Sequence, residues 1–510
     1  MARGVVDDAA NQLARWEPLD AEFWIVPPAD TRSLSAAAIR KEYSVNLLFR
    51  GAMTHDSRNV RLTLDLVDAV SEKTLATEQI VCPVDQLFRL SGLTTETMAR
   101  MLHLDPGAGV AAPPTQVAEA YRQYESGRAA STSRTLDGVN RAIVHYTQAT
   151  ELDPRFADAY SMLAIEYVNQ HMLGRDHQSL EMAERNLDRS RELAPLSARV
   201  HHGAALVHSA HGRTDAAIGE LRRALEIDPG DASLWLILGH QYRAKGLAEE
   251  TVGAYREAIR LRPNYWTAYN WLGSFHYRRG QYAEAEQAFR FVTRIAPNQT
   301  AGYTNLGGIF AATGRLSEAV EMFRKSIELA PTAAAYSNLG NCYYRMKRHQ
   351  EAAGAMEQAT RMQPKEHVLW RNLGDALTAI PKRRWEAAAC YREAARLASE
   401  QLTVKPTDTA LMSSLALYRA KIPDAAGALA ALRGLEKARV EEAETLVRAA
   451  AAYELSGKRA TALERLEAAL RRGYPERQIS ETPEFDSLRS DPAFDRIREL
   501  AARTRATSNK

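Results

Sequence analysis

Two punctuation marks recur along this chain with a single period. Pro229, Pro263, Pro297 and Pro331 stand 34 residues apart and Pro364 follows at 33, each closing a short phrase (EIDP, RLRP, RIAP, ELAP, RMQP). Gly212, Gly246, Gly280 and Gly314 repeat the same 34-residue step. Proline cannot continue a helix, and glycine takes the left-handed turn that ends one. A fixed period of this length means stacked supersecondary units, each burying its apolar face only against its neighbours.

The apolar positions keep phase with the punctuation. An aromatic opens each unit at Trp235, Tyr269, Tyr303, Tyr336 and Trp370, and four residues later comes Gly239, Gly273, Gly307, Gly340 or Gly374. That spacing puts both on one helix face. In the second half of the unit, Ala217, Ala285, Ala319 and Ala352 precede Leu221, Phe289, Phe323 and Met356 by four. Small residues let two helices approach closely, and the large residue fills the gap beside them.

These residues resemble the tetratricopeptide repeat, a helix–turn–helix unit, most fully in WLILGHQY…YREAIRLRP (235–263) and YNWLGSFH…FRFVTRIAP (269–297). The resemblance implies a mostly α fold, a right-handed superhelical solenoid of about ten units over 118–475. Looser units run from Tyr160 to Pro195 and from Val368 to Pro406, where one helix is lengthened. Residues 476–510 read as a terminal cap and tail, with Pro-x-Phe twice in ETPEFDSLRSDPAFDRIREL.

Residues 1–104 carry a different pattern and predict a small α/β domain. Leu62, Leu64 and Leu66 alternate with Arg61, Thr63 and Asp65, the period of a half-buried strand. NLLFRGAM (46–53) precedes this stretch across THDSRN, so the two predict a hairpin. EFWIVPP (22–28) and LATEQIV (75–81) read as further strands, and 33–41 and 85–103 as helices. DPGAGVAAPPT opens a linker over 105–117.

Together the two parts resemble the carboxyl-terminal region of bacterial serine/threonine kinases and transcriptional regulators that place a TolB-like domain before tetratricopeptide repeats. The stretches FWIVPPADTRS, NLLFRGAM…VRLTLDLVDA, PVDQLFRL and TPEFDSLRSDPAFDRI carry the likeness. Such chains usually bear a kinase, cyclase or DNA-binding module ahead of this region. Here none is present, and the first strand of the α/β domain is missing. Whether Met1 is the native start stays open.

Composition removes several function classes. Lys plus Arg is 66 against 63 Asp plus Glu, a net charge of +3, so nothing pulls the chain as a whole toward nucleic acid or anionic lipid. Cys82, Cys342 and Cys390 are an odd number, far apart and without CxxC spacing, a pattern that speaks against a disulfide framework or a structural zinc. The acidic pair Asp7 and Asp8 sits where a secretion signal needs an apolar run, and no stretch is long and apolar enough for a membrane span. These features predict a soluble, cytoplasmic chain, a placement that a membrane helix ahead of Met1 would change.

No kinase loop, Walker motif, GxSxG or strand-borne dinucleotide fingerprint occurs; GAGVAA (107–112) runs into Pro113 and Pro114 and reads as linker. His201, His208 and His211 share one helical stripe, but His201 and His208 stand at inward aromatic places and read as packing residues. No enzyme, cofactor or metal is therefore expected.

The feature that points to binding is Asn305, Asn338 and Asn372, each two residues after the opening aromatic of its unit. An amide offers a donor and an acceptor together and can hold both polar groups of an extended peptide backbone. The register resembles the asparagine ladder lining the repeat groove of O-GlcNAc transferases. Asn270, Asn341, Arg345, Arg371 and Asp375 are expected on the same wall. The chain thus reads as a scaffold holding an extended peptide or partner protein. The alternative is the sensory or substrate-recruiting half of a kinase system whose catalytic domain lies elsewhere.

Overall fold

The computed structural model describes residues 39–40, 45–104 and 115–499, apart from 134, 175, 177, 439, 441 and 490. The strand expected at 22–28, most of the helix at 33–41, most of the linker and the last residues of the tail lie outside the described residues. The chain divides into two compact units, Met1–Pro297 and Asn298–Lys510.

The first unit opens with an antiparallel sheet of β1 (Leu47–His55), β2 (Asn59–Asp68) and β3 (Thr74–Pro83), with β2 in the centre. The predicted hairpin forms because Asp56 Oδ1 accepts the backbone N–H groups of Arg58 and Asn59 at 2.8 Å each, closing the turn. Alternation along β2 buries Val60, Leu62, Leu64 and Leu66 on one face. The single helix predicted over 85–103 is instead a 3-10 turn, Val84–Arg89, followed by α1 (Leu90–Met101). Gln86 breaks helical geometry within the 3-10 turn (φ −117°, ψ 21°), and Leu87 and Leu90 both enter the sheet core. Tyr121 of α2 (Ala118–Ser131) joins that core.

Five antiparallel helix pairs fill the rest of this unit. They are α2 with α3 (Leu136–Leu152), α4 (Ala157–Gly174) with α5 (Gln178–Leu193), and α6 (Ala198–Ala210) with α7 (Thr214–Ile227). Then come α8 (Ala232–Lys245) with α9 (Ala248–Leu261) and α10 (Trp266–Arg278) with α11 (Tyr282–Ile295).

Five more pairs form the second unit. They are α12 (Thr300–Ala312) with α13 (Leu316–Leu329), α14 (Ala333–Arg345) with α15 (His349–Met362), and α16 (His367–Thr378) with α17 (Arg384–Val404). The last two are α18 (Thr409–Ala420) with α19 (Ala425–Glu436) and α20 (Ala443–Leu455) with α21 (Arg459–Arg471). After them α22 (Glu476–Glu481) and a 3-10 turn, Pro483–Leu488, fold back and bury Ile479, Phe485 and Leu488 in the core of the final pairs.

The periodic residues explain the pairing physically. A Cβ on Gly239, Gly273, Gly307 or Gly374 would lie 2.5–2.9 Å from the ring of Tyr255, Phe289, Phe323 or Tyr391, so each ring sits directly on the glycine of its partner helix. The mid-unit glycines take positive φ (Gly212 71°, Gly246 81°, Gly280 72°, Gly314 84°), and each of the four lies between the two helices of its pair. Aromatic and proline are linked as well. Trp235 Nε1 donates to the carbonyl of Pro229 at 3.2 Å and Trp370 Nε1 to that of Pro364 at 2.8 Å, tying the opening aromatic to the turn that precedes its helix.

Candidate peptide-binding face

The glycine contacts fix which side of each first helix is open. Gly307, Gly340 and Gly374 face their own second helices. A residue two positions earlier lies about 200° round the helix, on the side turned away from that partner. Asn305, Asn338 and Asn372 occupy this place in α12, α14 and α16, all within the second unit. Asn305 and Asn338 are half-buried there, and Asn305 has a partner within the fold. Asn372 is only 6% exposed, and its Nδ2 donates to Ser337 Oγ on the preceding first helix at 3.2 Å.

The neighbours expected on the same wall divide. Asn341 and Arg345 lie on α14, exposed, with Arg345 Nη1 donating to the Ala311 carbonyl of α12 at 2.7 Å. Asn270 belongs to α10 in the first unit, where its backbone carbonyl accepts from Ser274 Oγ at 2.8 Å. Arg371 and Asp375 turn toward each other one helical turn apart on α16, at 3.2 Å.

That pair belongs to a larger ionic cluster. Lys421 Nζ lies 2.6 Å from Asp375 Oδ1 and also meets the carboxylate of Glu484 from the carboxyl-terminal turn. Tyr391 OH donates to Asp375 at 2.8 Å. Burial pushes the Asp375 carboxyl up, but Lys421 and Arg371 outweigh it and hold it below its usual range. Burial likewise opposes the charge on Lys421, and Asp375 and Glu484 reverse this and raise its pKa. Lys421 and Glu484 carry no periodic signal, and the periodic place of Tyr391 marks only its seat on Gly374, so the fold alone brings these groups to Arg371 and Asp375.

The histidine stripe does not converge. His201 Nδ1 meets Glu220 Oε2 at 2.6 Å, and His211 Nε2 lies 3.1 Å from Glu184. His201 is largely buried, and α7 supplies a carboxylate that meets its ring. Among the described residues no group of three His, Cys, Asp or Glu side chains could hold a metal ion. The cysteines are all buried, and burial pushes the Cys342 and Cys390 thiols up to about 11, far from the thiolate a nucleophile needs.

Family models decide the class of repeat. The tetratricopeptide-repeat model matches residues 264–332 and 300–365, related repeat models match 198–240 and 338–401, and a TPR-repeat model matches 239–280. Residues 198–401 are tetratricopeptide repeats. Among the described residues each unit folds as a tetratricopeptide-repeat α-solenoid, the first with a small antiparallel sheet at its amino-terminal side. Among solved structures it is similar to MamA (23% identity over 32% of this chain and 95% of that one, TM-score 0.30). It is also similar to Tom70 from yeast (17%, 55% and 60%, TM-score 0.41) and to pilF of Pseudomonas aeruginosa (21%, 41% and 92%, TM-score 0.36). No curated protein matches it. Among the described residues no helix is long and apolar enough to cross a membrane.

Proposed function

We propose that this tetratricopeptide-repeat protein is a non-catalytic scaffold that holds an extended segment of a partner protein along its first helices. In the second unit, Asn305 and Asn338 would hold the peptide backbone, while the buried Asn372 would brace the wall through its bond to Ser337. Asn341 and Arg345 would contact its side chains, Arg371 and Asp375 would support that wall from within their cluster with Lys421, and Asn270 would contact side chains on the first unit. The observation that supports this reading is the recurrence of asparagine at one register place in three successive first helices, on the side turned away from their packed partners. Amides there can pair with a backbone without reading its sequence.

Affinity capture from native lysate, comparing the wild type with an Asn305→Ala, Asn338→Ala variant of unchanged helical circular dichroism, tests the reading. A protein retained by the wild type and lost by the variant is the expected result. Equal retention by both overturns it. The likeness of the amino-terminal and tail stretches to kinase-linked chains supports a second reading, recruitment for a serine/threonine kinase. A kinase among the captured proteins is its signature.

A further inference from the structure

Away from the asparagine register, the first unit buries a carboxylate that no cation meets. Glu166 of α4 is 2% exposed. Ser131 Oγ of α2 donates to its Oε1 at 2.6 Å, and Asn169 Nδ2, one turn on along α4, donates to its Oε2 at 3.2 Å. Both donors are neutral, and among the described residues no lysine, arginine or histidine pairs with Glu166. Arg128 of α2 is held instead by Glu125, itself buried, at 2.8 Å.

The elements around Glu166 withhold a counter-charge. Because α2 ends at Ser131, the carboxyl stands at the negative end of that helix's dipole, where a carboxylate is disfavoured. From α3 comes Tyr146, fully buried: a Cβ on Gly127 would lie 2.7 Å from its ring. Ser131 Oγ lies 3.1 Å from the Gly127 carbonyl, so phenol and serine share one corner. The Tyr146 hydroxyl is shielded from solvent and has no hydrogen-bond partner of ordinary geometry, though it feels Ser131 and Glu166. Against α4, α5 and α6 pack the uncharged Leu180, Ala183, Leu187, Val200 and Ala204. The Arg199 guanidinium of α6 is taken by Asp158 at 3.1 Å and Tyr124 OH at 2.8 Å. Burial therefore pushes the Glu166 carboxyl above its ordinary 4.5, and Ser131 and Asn169 offset this only in part.

We propose that Glu166 is a proton-operated clasp between the first two helix pairs of this unit, closed when its carboxyl is protonated and loosened when it ionises. The protonated acid adds an O–H to a corner where the Tyr146 hydroxyl oxygen is an unused acceptor. Ionisation removes that donor and leaves a buried charge with two neutral hydrogen bonds. Tyr121 of α2 lies in the sheet core, so the clasp joins the sheet-bearing end of the unit to α4 and α5. A folded pKa above the unfolded one makes this cohesion fully present below 4.5 and lost as pH rises through the folded value. Glu166 lies in the other unit from Asn305 and Asn338, and its role does not rest on the amide register.

Amide hydrogen exchange of the full chain, wild type against Glu166→Gln at matched pH, reads the clasp, since glutamine keeps the shape of the acid and cannot ionise. At pH 8, peptides from Ala118–Ser131 and Ala157–Gly174 are expected to exchange roughly tenfold faster in the wild type, the size of a one-unit shift. The gap should close as pH falls to 4.5, and peptides of the second unit should show none. Ser131→Ala removes a donor that favours the ionised form, so it should move the wild type's loosening to higher pH. That shift keeps the test open if Glu166→Gln does not fold. No gap at pH 8, or one of equal size at pH 4.5, overturns the proposal. Loosening that Ser131→Ala leaves at the same pH does so too.

Discussion

Lys421 and Asp375 meet at 2.6 Å across 46 residues of sequence, and the same ammonium reaches Glu484 on the carboxyl-terminal turn. The ion pair thereby ties α16, the end of α18 and the returning tail together. Removing one member of a buried pair leaves the other charge uncompensated. Lys421→Met is expected to cost about 3 kcal/mol, read as a lower urea midpoint.

The same cluster sets a pH dependence. Asp375 titrates below its ordinary 3.8 in the folded chain. Its contribution is therefore present above that value and lost as pH falls through the depressed folded pKa. Urea midpoints at pH 7 and pH 3 should differ more for the wild type than for Lys421→Met. Identical pH losses would show that Asp375 is not held by Lys421.

Adjacent glycines on α12 should answer oppositely to alanine. A Cβ on Gly307 would stand 2.9 Å from Phe323, while one on Gly308 meets nothing within 4 Å. Gly307→Ala is expected to cost about 2 kcal/mol by overpacking. Gly308→Ala should gain up to about 1 kcal/mol from helix propensity. Thermal melts of the two variants, moving in opposite directions, check the seating of ring on glycine.

Much of this architecture was legible because its causes are periodic. Gly307 and Phe323 belong to different helices, yet both repeat in phase with Pro331 and Gly314, so helix, turn and packing partner could be read together. The alternation of Leu62, Leu64 and Leu66 did the same for β2. The cluster around Lys421 was not legible, since its charges look like ordinary solvated residues until the tail returns. The three asparagines also look alike in sequence and differ in the fold. Thr304 and Ser326 share a hydrogen bond at 2.8 Å, which engages the hydroxyl one repeat before Asn338. Ser337, at the same place one repeat later, instead accepts from Asn372.

That difference separates structural from binding effects along the register. Asn372→Ala removes a buried amide and leaves Ser337 without its donor, an expected cost of about 1 kcal/mol. Asn338→Ala, half-buried, should stay within about 0.5 kcal/mol of the wild type. Chemical denaturation of both variants checks this. If Asn372→Ala proves neutral, the Ser337 bond contributes nothing, and this asparagine is as available as the other two.

Lys347 stands where four earlier units place glycine, and it takes the same left-handed backbone with φ 60°. Its amide donates to the Tyr344 carbonyl at 2.9 Å, and that of Arg348 to Tyr343 at 2.8 Å, so the turn between α14 and α15 is the ordinary one made with the wrong residue. A side chain in this region meets its own carbonyl, at a cost of about 1 kcal/mol that glycine avoids. Lys347→Gly should therefore stabilise by up to about 0.5 kcal/mol, the strain relieved less the unfolded chain's added freedom. Gly314→Ala, the reverse exchange at φ 84°, should destabilise by a similar amount. A melt in which Lys347→Gly falls below the wild type would mean that the lysine side chain contributes a contact outweighing its strained backbone.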